Sequence, residues 1–435
     1  MGASIGVVAV VLFISFFIFL ALGLQVSVGI GLSSFIALLL SLPFDMTVIA
    51  SAQKMITGLD NFALLAIPFF ILSGNIMNNG GIAIKLVNFA KLIGGRLPGS
   101  LAQVNILGNM LFGAISGSAV AAEAAIGGTI YPLQKKEGYD PKYCAAVNIT
   151  SCPTGLLIPP SNVLIVFALV SGGTSIGALF IAGYLPGVVM GLGIMILAYM
   201  FAKKNNYPVE KRQPMSEAIK ITLDALPSLL LIIIVIGGII KGVFTATEGS
   251  GIAVIYTLVL SLIYRNLNVQ VMKKIIDDTI KMTGLIMFLM AASSIMSWAL
   301  AYSQIPQYIT KALLGISDNK YIILFIINIL LLIVGTFMDM TPAVLIFTPI
   351  FLPVVTELGM HPVHFGIVMV YNLCIGLCTP PVGNALFLGC AIADLKIEEI
   401  IKTILPYFLA MLIGLLLVTY IPAISLFLPK LFGLI

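Results

Sequence analysis

The sequence predicts an all-α integral membrane protein of about ten spans and two re-entrant helical hairpins, built as two inverted repeats. Three observations carry that class. Of 435 residues, 60% are hydrophobic and only 9% charged, where soluble domains carry about 25% charged residues. Long runs hold no Asp, Glu, Lys or Arg: 1–44, 61–84, 97–122, 143–202, 249–264, 282–310, 321–338, 358–393 and 403–429. The chain also matches itself at a shift of 221 residues.

That composition excludes a soluble enzyme, a disordered tail, a coiled coil and a nucleic-acid binder. A helix crosses about 30 Å of hydrocarbon in about 20 residues, so 1–44 and 143–202 can each hold two spans. A β-barrel is excluded, because its strands alternate apolar and polar residues and these runs do not. No Lys or Arg precedes Lys54, so the N-terminus lacks the basic region of a cleavable signal and is expected to stay as a membrane helix. Cys144, Cys152, Cys374, Cys378 and Cys390 show no metal spacing and read as small buried hydrophobes.

The repeat sets the order of the elements. Pro132, Gly138, Pro141, Gly155, Pro159 and Pro160 fall on Pro353, Gly359, Pro362, Gly376, Pro380 and Pro381 without a gap. Gly and Pro are position-specific in what backbone they permit, so the coincidence reports a shared plan. The halves run 1–202 and 217–435, joined by a polar linker at 203–216. Full spans are expected near 3–23, 25–43, 62–78, 143–171, 175–201, 219–240, 249–264, 282–300, 363–392 and 403–428. The hairpins are expected at 98–133 and 319–356, and broken helices at 143–171 and 363–392. With this layout one side collects 17 of the 22 Lys and Arg residues and the other 5, which makes the first side cytoplasmic. Five spans per half insert the second half upside down. Repeats with Gly/Pro-interrupted spans at matching positions point to a secondary transporter.

Irregular backbone survives at membrane depth only inside protein or around a wet cavity. Four segments demand it. Gly113-Ala-Ile-Ser-Gly-Ser118 puts two glycines and two serines mid-run, which favours a turn, with Ser118 able to cap the returning helix. Gly335-Thr-Phe-Met-Asp-Met-Thr-Pro342 stands at the matching place, where Thr341 before Pro342 is a helix-start signature. Pro159-Pro160 and Pro380-Pro381 each remove two donors and must break their helices. The next half-helix then turns its N-terminus into the gap, where free N–H groups favour an anion.

Only two acids lie deep in the expected hairpins, Glu123 and Asp339. A charge in the membrane marks a functional site by default. Asp339 is expected at the second tip, as an oxygen ligand for a hard cation such as Na⁺, or else as a helix cap. Glu123, a turn past the first tip, is a candidate coupling carboxylate. Asp224 and Glu248 read as interfacial.

On these motifs the chain resembles the large membrane subunit of tripartite ATP-independent periplasmic transporters. The resemblance rests on Leu97-Pro-Gly-Ser-Leu101, Gly113-Ala-Ile-Ser-Gly-Ser-Ala-Val-Ala121 with Ala125-Ile-Gly127, Ile158-Pro-Pro-Ser161 and Thr379-Pro-Pro-Val-Gly383. It implies a multi-pass protein of the bacterial inner membrane that takes up an organic anion, a carboxylate such as a C4-dicarboxylate or sialic acid, with Na⁺ as coupling ion and no organic cofactor. It implies three partners besides membrane lipid: a small four-helix membrane subunit, a periplasmic substrate-binding protein and the anion itself. It implies an elevator in which both hairpins ride on a transport domain. Carried over residue by residue, Ser116, Gly117, Ser118, Thr336, Asp339 and Thr341 would bind Na⁺. Ser161, Asn162, Gly383 and Asn384 would face the substrate. Spans 1–2 and 6–7, with amphipathic segments near 44–58 and 267–280, would form the scaffold.

Three rivals bear on this reading. A binding-protein-independent sodium–dicarboxylate symporter would share the hairpins and breaks, and a passive anion pore would need no ion site. An enzyme is not expected either: no G-x-x-x-x-G-K-[ST] motif supports an ATP-driven pump, and an intramembrane serine protease needs a buried His. The chain's two histidines, His361 and His364, sit at a span edge, out of place to serve a nucleophile such as Ser116 or to bind a metal.

Overall fold

The computed structural model describes residues 4–209, 214–317 and 319–435. Among these, every regular element is helical. Residues 210–213 of the expected linker, with Lys211 and Arg212 of the charge tally, lie outside the described residues. Eight described helices are long and apolar enough to cross a membrane, or nine if the bent pair Pro141–Leu157 and Asn162–Val170 is one span.

The helices gather into two packed groups. The first contains Ile5–Ala21, Val26–Leu39, Phe44–Leu59, Phe62–Asn79, Met215–Ile240, Ala246–Ile263 and Val269–Tyr302. Small residues let these helices approach, as membrane packing requires. A Cβ on Gly58 would run into the side chain of Ser294, and one on Gly80 into that of Ser261. This group contains every segment expected for a scaffold, together with Phe62–Asn79 and the distal part of Val269–Tyr302. The segment expected as separate near 267–280 continues without a break into the span at 282–300, as one helix of 34 residues. Its five charges between Lys273 and Lys281 are borne on an exposed helical arm and do not interrupt it.

The second group holds two helix–turn–helix pairs, two broken helices and the helices Ile176–Lys204, Ile397–Tyr420 and Ala423–Leu431. The span expected at 403–428 ends instead at Tyr420, because Pro422 cannot continue the hydrogen-bond ladder. The first hairpin has arms at Ser100–Ser116 and 119–136, with a π-helical turn over Glu123–Gly127. The second has arms at Lys320–Phe337 and Met340–Glu357. The half-helices are exchanged. Asn162–Val170 of the first half packs on the second hairpin, and Asn384–Ala393 of the second half packs on the first hairpin and on Pro141–Ser151. The thiols of Cys378 and Cys374 donate to the carbonyls of Ile149 (3.1 Å) and Pro153 (3.5 Å), tying the two breaks together. All five cysteines are free and buried.

Two amphipathic helices join the groups, Ile82–Gly94 and Ile305–Leu314, at matching places in the two halves. Neither stretch falls within an expected span or hairpin. Ile82–Gly94 lies between Ser100–Ser116 and Met215–Ile240. Lys85 anchors it, 4.0 Å from Asp224 and 3.9 Å above the Tyr264 ring. Asp224 is exposed at a helix surface, and Glu248 completes a capping box with Thr245.

Candidate functional site

The first hairpin turns at Gly117, whose φ of +61° lies where a side chain is strained. Ser118 then caps the returning arm, accepting from Ala121 N at 3.3 Å. Ser116 Oγ donates to Ser118 O at 3.3 Å and buttons the turn. At the second tip the helix starts earlier than Thr341-Pro342 suggests. Asp339 holds the N-cap position and Thr341 sits in the first turn. The Asp339 side chain makes no capping bond and is exposed.

Each break is docked to its own tip. In the first, the cis pair Pro159-Pro160 leads to Ser161, whose Oγ accepts from Leu164 N at 3.5 Å at the start of Asn162–Val170. Gly117 lies so close that a Cβ there would stand 3.3 Å from Pro160 O and 3.4 Å from Asn162 Nδ2. In the second, the cis pair Pro380-Pro381 leads to Val382, whose N–H donates to Thr336 O at 3.1 Å. Gly383 follows as N-cap, and a Cβ there would press on the carbonyls of Thr379 (2.8 Å) and Leu377 (2.9 Å). Asn384 opens the half-helix, its Nδ2 donating to Asp339 Oδ1 at 3.5 Å.

Both tips and both half-helix starts meet at one cavity of about 650 Å³. Seven of the expected site residues line it: Ser116, Gly117, Ser118, Asn162, Asp339, Thr341 and Asn384. Three support it without lining it. Thr336 donates its hydroxyl to Ile333 O and takes Val382 N with its carbonyl, Ser161 is buried as a cap, and Gly383 is buried at the turn. Glu123 is elsewhere. It is fully buried behind the tip; Oε2 accepts from the Cys152 thiol at 3.6 Å and Oε1 has no partner. On this arm Ala121 and Ala124 face the cavity and Glu123 does not.

The far wall comes from the first group, through Gln25, Ser27, Ile71 and Asn75 and through Met282, Leu285, Ile286 and Leu289. None of these was named as a site residue in the sequence, although Gln25 and Asn75 are amides within charge-free runs. A buried amide network was also missed. Asn109 Nδ2 reaches Asn105 Oδ1 (2.9 Å), Asn148 Oδ1 (3.1 Å) and Ser151 Oγ (2.8 Å), while Asn148 Nδ2 reaches Glu123 O (3.3 Å). It locks the first hairpin to the helix that precedes the first break. In the second half, Asn372 Nδ2 donates to Asn328 O (2.9 Å) and Oδ1 (3.0 Å). The signal was amides spaced one turn apart within an apolar run. His361 caps Pro362–Leu377, and His364 is held between Ser425 Oγ (2.6 Å) and Thr419 O (3.2 Å).

Paired hairpins whose polar tips converge with two broken helices on a largely apolar cavity, inside a bundle of apolar helices, are the architecture of a membrane carrier. Residues 13–424 match the family described as "Tripartite ATP-independent periplasmic transporter, DctM component", and the chain belongs to that family. Among curated relatives, it is 55% identical to a Salmonella typhimurium protein described as uncharacterized protein YgiK, over 98% of each chain. It is 37% identical to the sialic acid TRAP transporter large permease protein SiaM of Vibrio cholerae, over 88% of this chain and 90% of that one. It is 38% identical to the C4-dicarboxylate TRAP transporter large permease protein DctM of Pseudomonas aeruginosa, over 93% and 95%. Among solved structures, the fold is similar to the Alcanivorax borkumensis YdaH transporter, with a TM-score of 0.63 at 16% identity, over 86% of this chain and 88% of that one. It is also similar to Neisseria gonorrhoeae MtrF, with a TM-score of 0.59 at 14% identity, over 86% and 84%.

Proposed function

We propose that this chain is the transporting subunit of a sodium-driven uptake system of the bacterial inner membrane. A periplasmic binding protein delivers an organic carboxylate, and a small four-helix membrane subunit packs beside the transporting helices. The observation that carries the proposal is Asp339: an uncapped carboxylate at a hairpin tip, exposed to the cavity, 3.5 Å from Asn384 on the facing half-helix. An anion in the substrate cavity of an anion carrier needs a cation to offset it, and its oxygen suits Na⁺.

In this proposal one Na⁺ binds at each tip. Asp339, Thr336, Thr341 and Asn384 serve the second, and Ser116, Gly117, Ser118 and Asn162 the first. The half-helix starts at Asn162 and Asn384 offer backbone N–H groups to the carboxylate. Na⁺ at the tips lowers the cost of bringing the anion in, and the anion holds Na⁺ in return, so the coupling is reciprocal. Moving one negative charge inward against the potential costs about 2.3 kcal/mol per 100 mV. Two Na⁺ with a monoanion reverse that sign. The second helix group carries both hairpins and slides against the first as an elevator. The relatives' names span sialic acid, C4-dicarboxylates, 2,3-diketo-L-gulonate and the sulfonate isethionate, which supports a small organic anion, most often a carboxylate, without fixing which one.

The test is uptake into proteoliposomes containing the chain and its small subunit, with the matching binding protein outside. Uptake should require an inward Na⁺ gradient and the binding protein, and collapse in Asp339→Ala. Na⁺-driven uptake that ignores the binding protein would assign the chain to the simpler symporters. Uptake indifferent to Na⁺ would leave a pore.

A further inference from the structure

The two helix groups meet backbone to backbone at Gly74. This residue lies in Phe62–Asn79 of the first group and lines the cavity beside Ser116. A Cβ there would stand 2.9 Å from Ser116 O and 3.2 Å from Ser116 Cα, in the backbone of the first hairpin tip. Resting on the elevator reading above, we propose that Gly74 is a positioning residue. It seats the first tip in the cytoplasm-facing state and sets how far that state is populated.

The seat is particular to one place on its helix. The stretch Phe62–Asn79 holds one glycine. Ile71, Phe70 and Ile67 stand three, four and seven residues before it, on the same helical face. All three are buried, and the Phe70 ring meets that of Phe180 in the second group at 6.4 Å. A tip that slid along this helix would ride on those side chains, and its backbone could not come so near again. The contact therefore belongs to one position of the second group. The tip it holds carries Ser116, Gly117 and Ser118, so the proposed first ion site leaves the seat with it.

The charge layout says which position this is. Gly74 stands about 7.5 Å along the helix from Asn79, at 1.5 Å per residue, and Lys85 and Lys91 follow that end. On the facing wall, Met282 and Leu285 closely follow Lys281. These lysines belong to the side that collects 17 of the 22 Lys and Arg residues, the cytoplasmic one. The tip is thus seated near the cytoplasmic ends of the first-group helices.

A methyl group at Gly74 would press on backbone, which cannot turn aside as the end of a side chain can. With the tip elsewhere the same methyl meets no tip, and alanine is the better helix former. The substitution opposes one state and spares the other.

The test is double electron–electron resonance on the purified complex of the chain with its small subunit in lipid nanodiscs. Spin labels are placed at Ile49→Cys in the first group and at Lys136→Cys, at the end of the first hairpin. Both positions are exposed, and all five native cysteines are buried. The charge layout puts the two labels at opposite faces of the membrane, so outward sliding of the second group shortens the distance between them. Gly74→Ala should raise the ratio of the shorter to the longer distance by at least about 5-fold. Gly251→Ala, where a Cβ meets nothing within 4 Å, should leave that ratio unchanged. Two distances whose ratio ignores Gly74→Ala, or moves toward the longer one, would overturn the seat and keep the sliding motion. A single distance in wild type and variant alike would sink the elevator reading, and the seat with it. A Gly74→Ala chain that fails to fold would also overturn the proposal, because the methyl would then be intolerable wherever the tip stands.

Discussion

Gly376 and Gly335 meet backbone to backbone: a Cβ on Gly376 would stand 2.7 Å from Gly335 Cα. Gly155 and Gly113 repeat the relation in the first half, where a Cβ on Gly155 would stand 2.2 Å from Gly113 Cα. Each pair presses the helix leading into a break against the arm leading into a tip. This is what brings Asn162 beside Gly117 and Val382 beside Thr336, and so what closes the cavity from behind.

Alanine at Gly155 or Gly376 should therefore part each break from its tip. The expected loss is at least about 1–3 kcal/mol, the usual cost of overpacking, read as a lower midpoint of thermal unfolding in detergent. Gly237→Ala is the control. A Cβ there meets nothing within 4 Å, and alanine should hold or raise the midpoint, by up to about 1 kcal/mol of helix propensity. Equal loss in all three would contradict the role of the close contacts.

The amide network behind the first hairpin should be worth more than its size suggests. Asn109→Leu leaves Asn148 Oδ1 without its partner in the buried interior, and Asn105 Oδ1 with only the Ser151 hydroxyl at 3.3 Å. Each unsatisfied group costs about 1–3 kcal/mol. Thermal unfolding should register the loss, and hydrogen exchange should increase at the first hairpin before it increases in the first helix group.

Lys85 sits at the junction between the two groups, against Tyr264 and Asp224. Lys85→Gln keeps the stem and removes the charge. A cation–π contact contributes roughly 0.5–2 kcal/mol, so the variant should be destabilised by about that much, and Tyr264→Leu should add little on top of it. Full additivity of the two would contradict a direct contact.

Asn384→Ala removes the amide that approaches Asp339 while sparing the carboxylate. The Na⁺ concentration for half-maximal uptake should rise by about 5- to 150-fold, the usual span of a coupling energy. The effect of saturating Na⁺ should be largely retained. An unchanged Na⁺ requirement would remove Asn384 from the ion site.

The tips and breaks were legible because Gly and Pro act locally. Gly117 needs its left-handed φ, and the Pro-Pro pairs leave a helix no way through, whatever surrounds them. The continuity of Val269–Tyr302 was not legible, since charges between Lys273 and Lys281 look the same in a loop as on an exposed helical arm. Ile82–Gly94 and Ile305–Leu314 were passed over because their lysines interrupt the hydropathy, although amphipathic helices carry such residues on their outer face. Glu123 shows a further limit. The sequence places it one turn beyond the tip, but the face it occupies depends on the π turn at Glu123–Gly127. The far wall of the cavity depends on how the two groups dock, which no local pattern records.

Sodium binding at Asp339 is the central claim, and Na⁺ titration by calorimetry on the purified chain tests it most directly. The wild-type chain should bind Na⁺ with no comparable response to K⁺. Asp339→Ala should weaken that binding by about 10-fold or more, as loss of a charged ligand requires. An Asp339→Ala chain that binds Na⁺ like the wild type, or a wild-type chain that binds none, would contradict it.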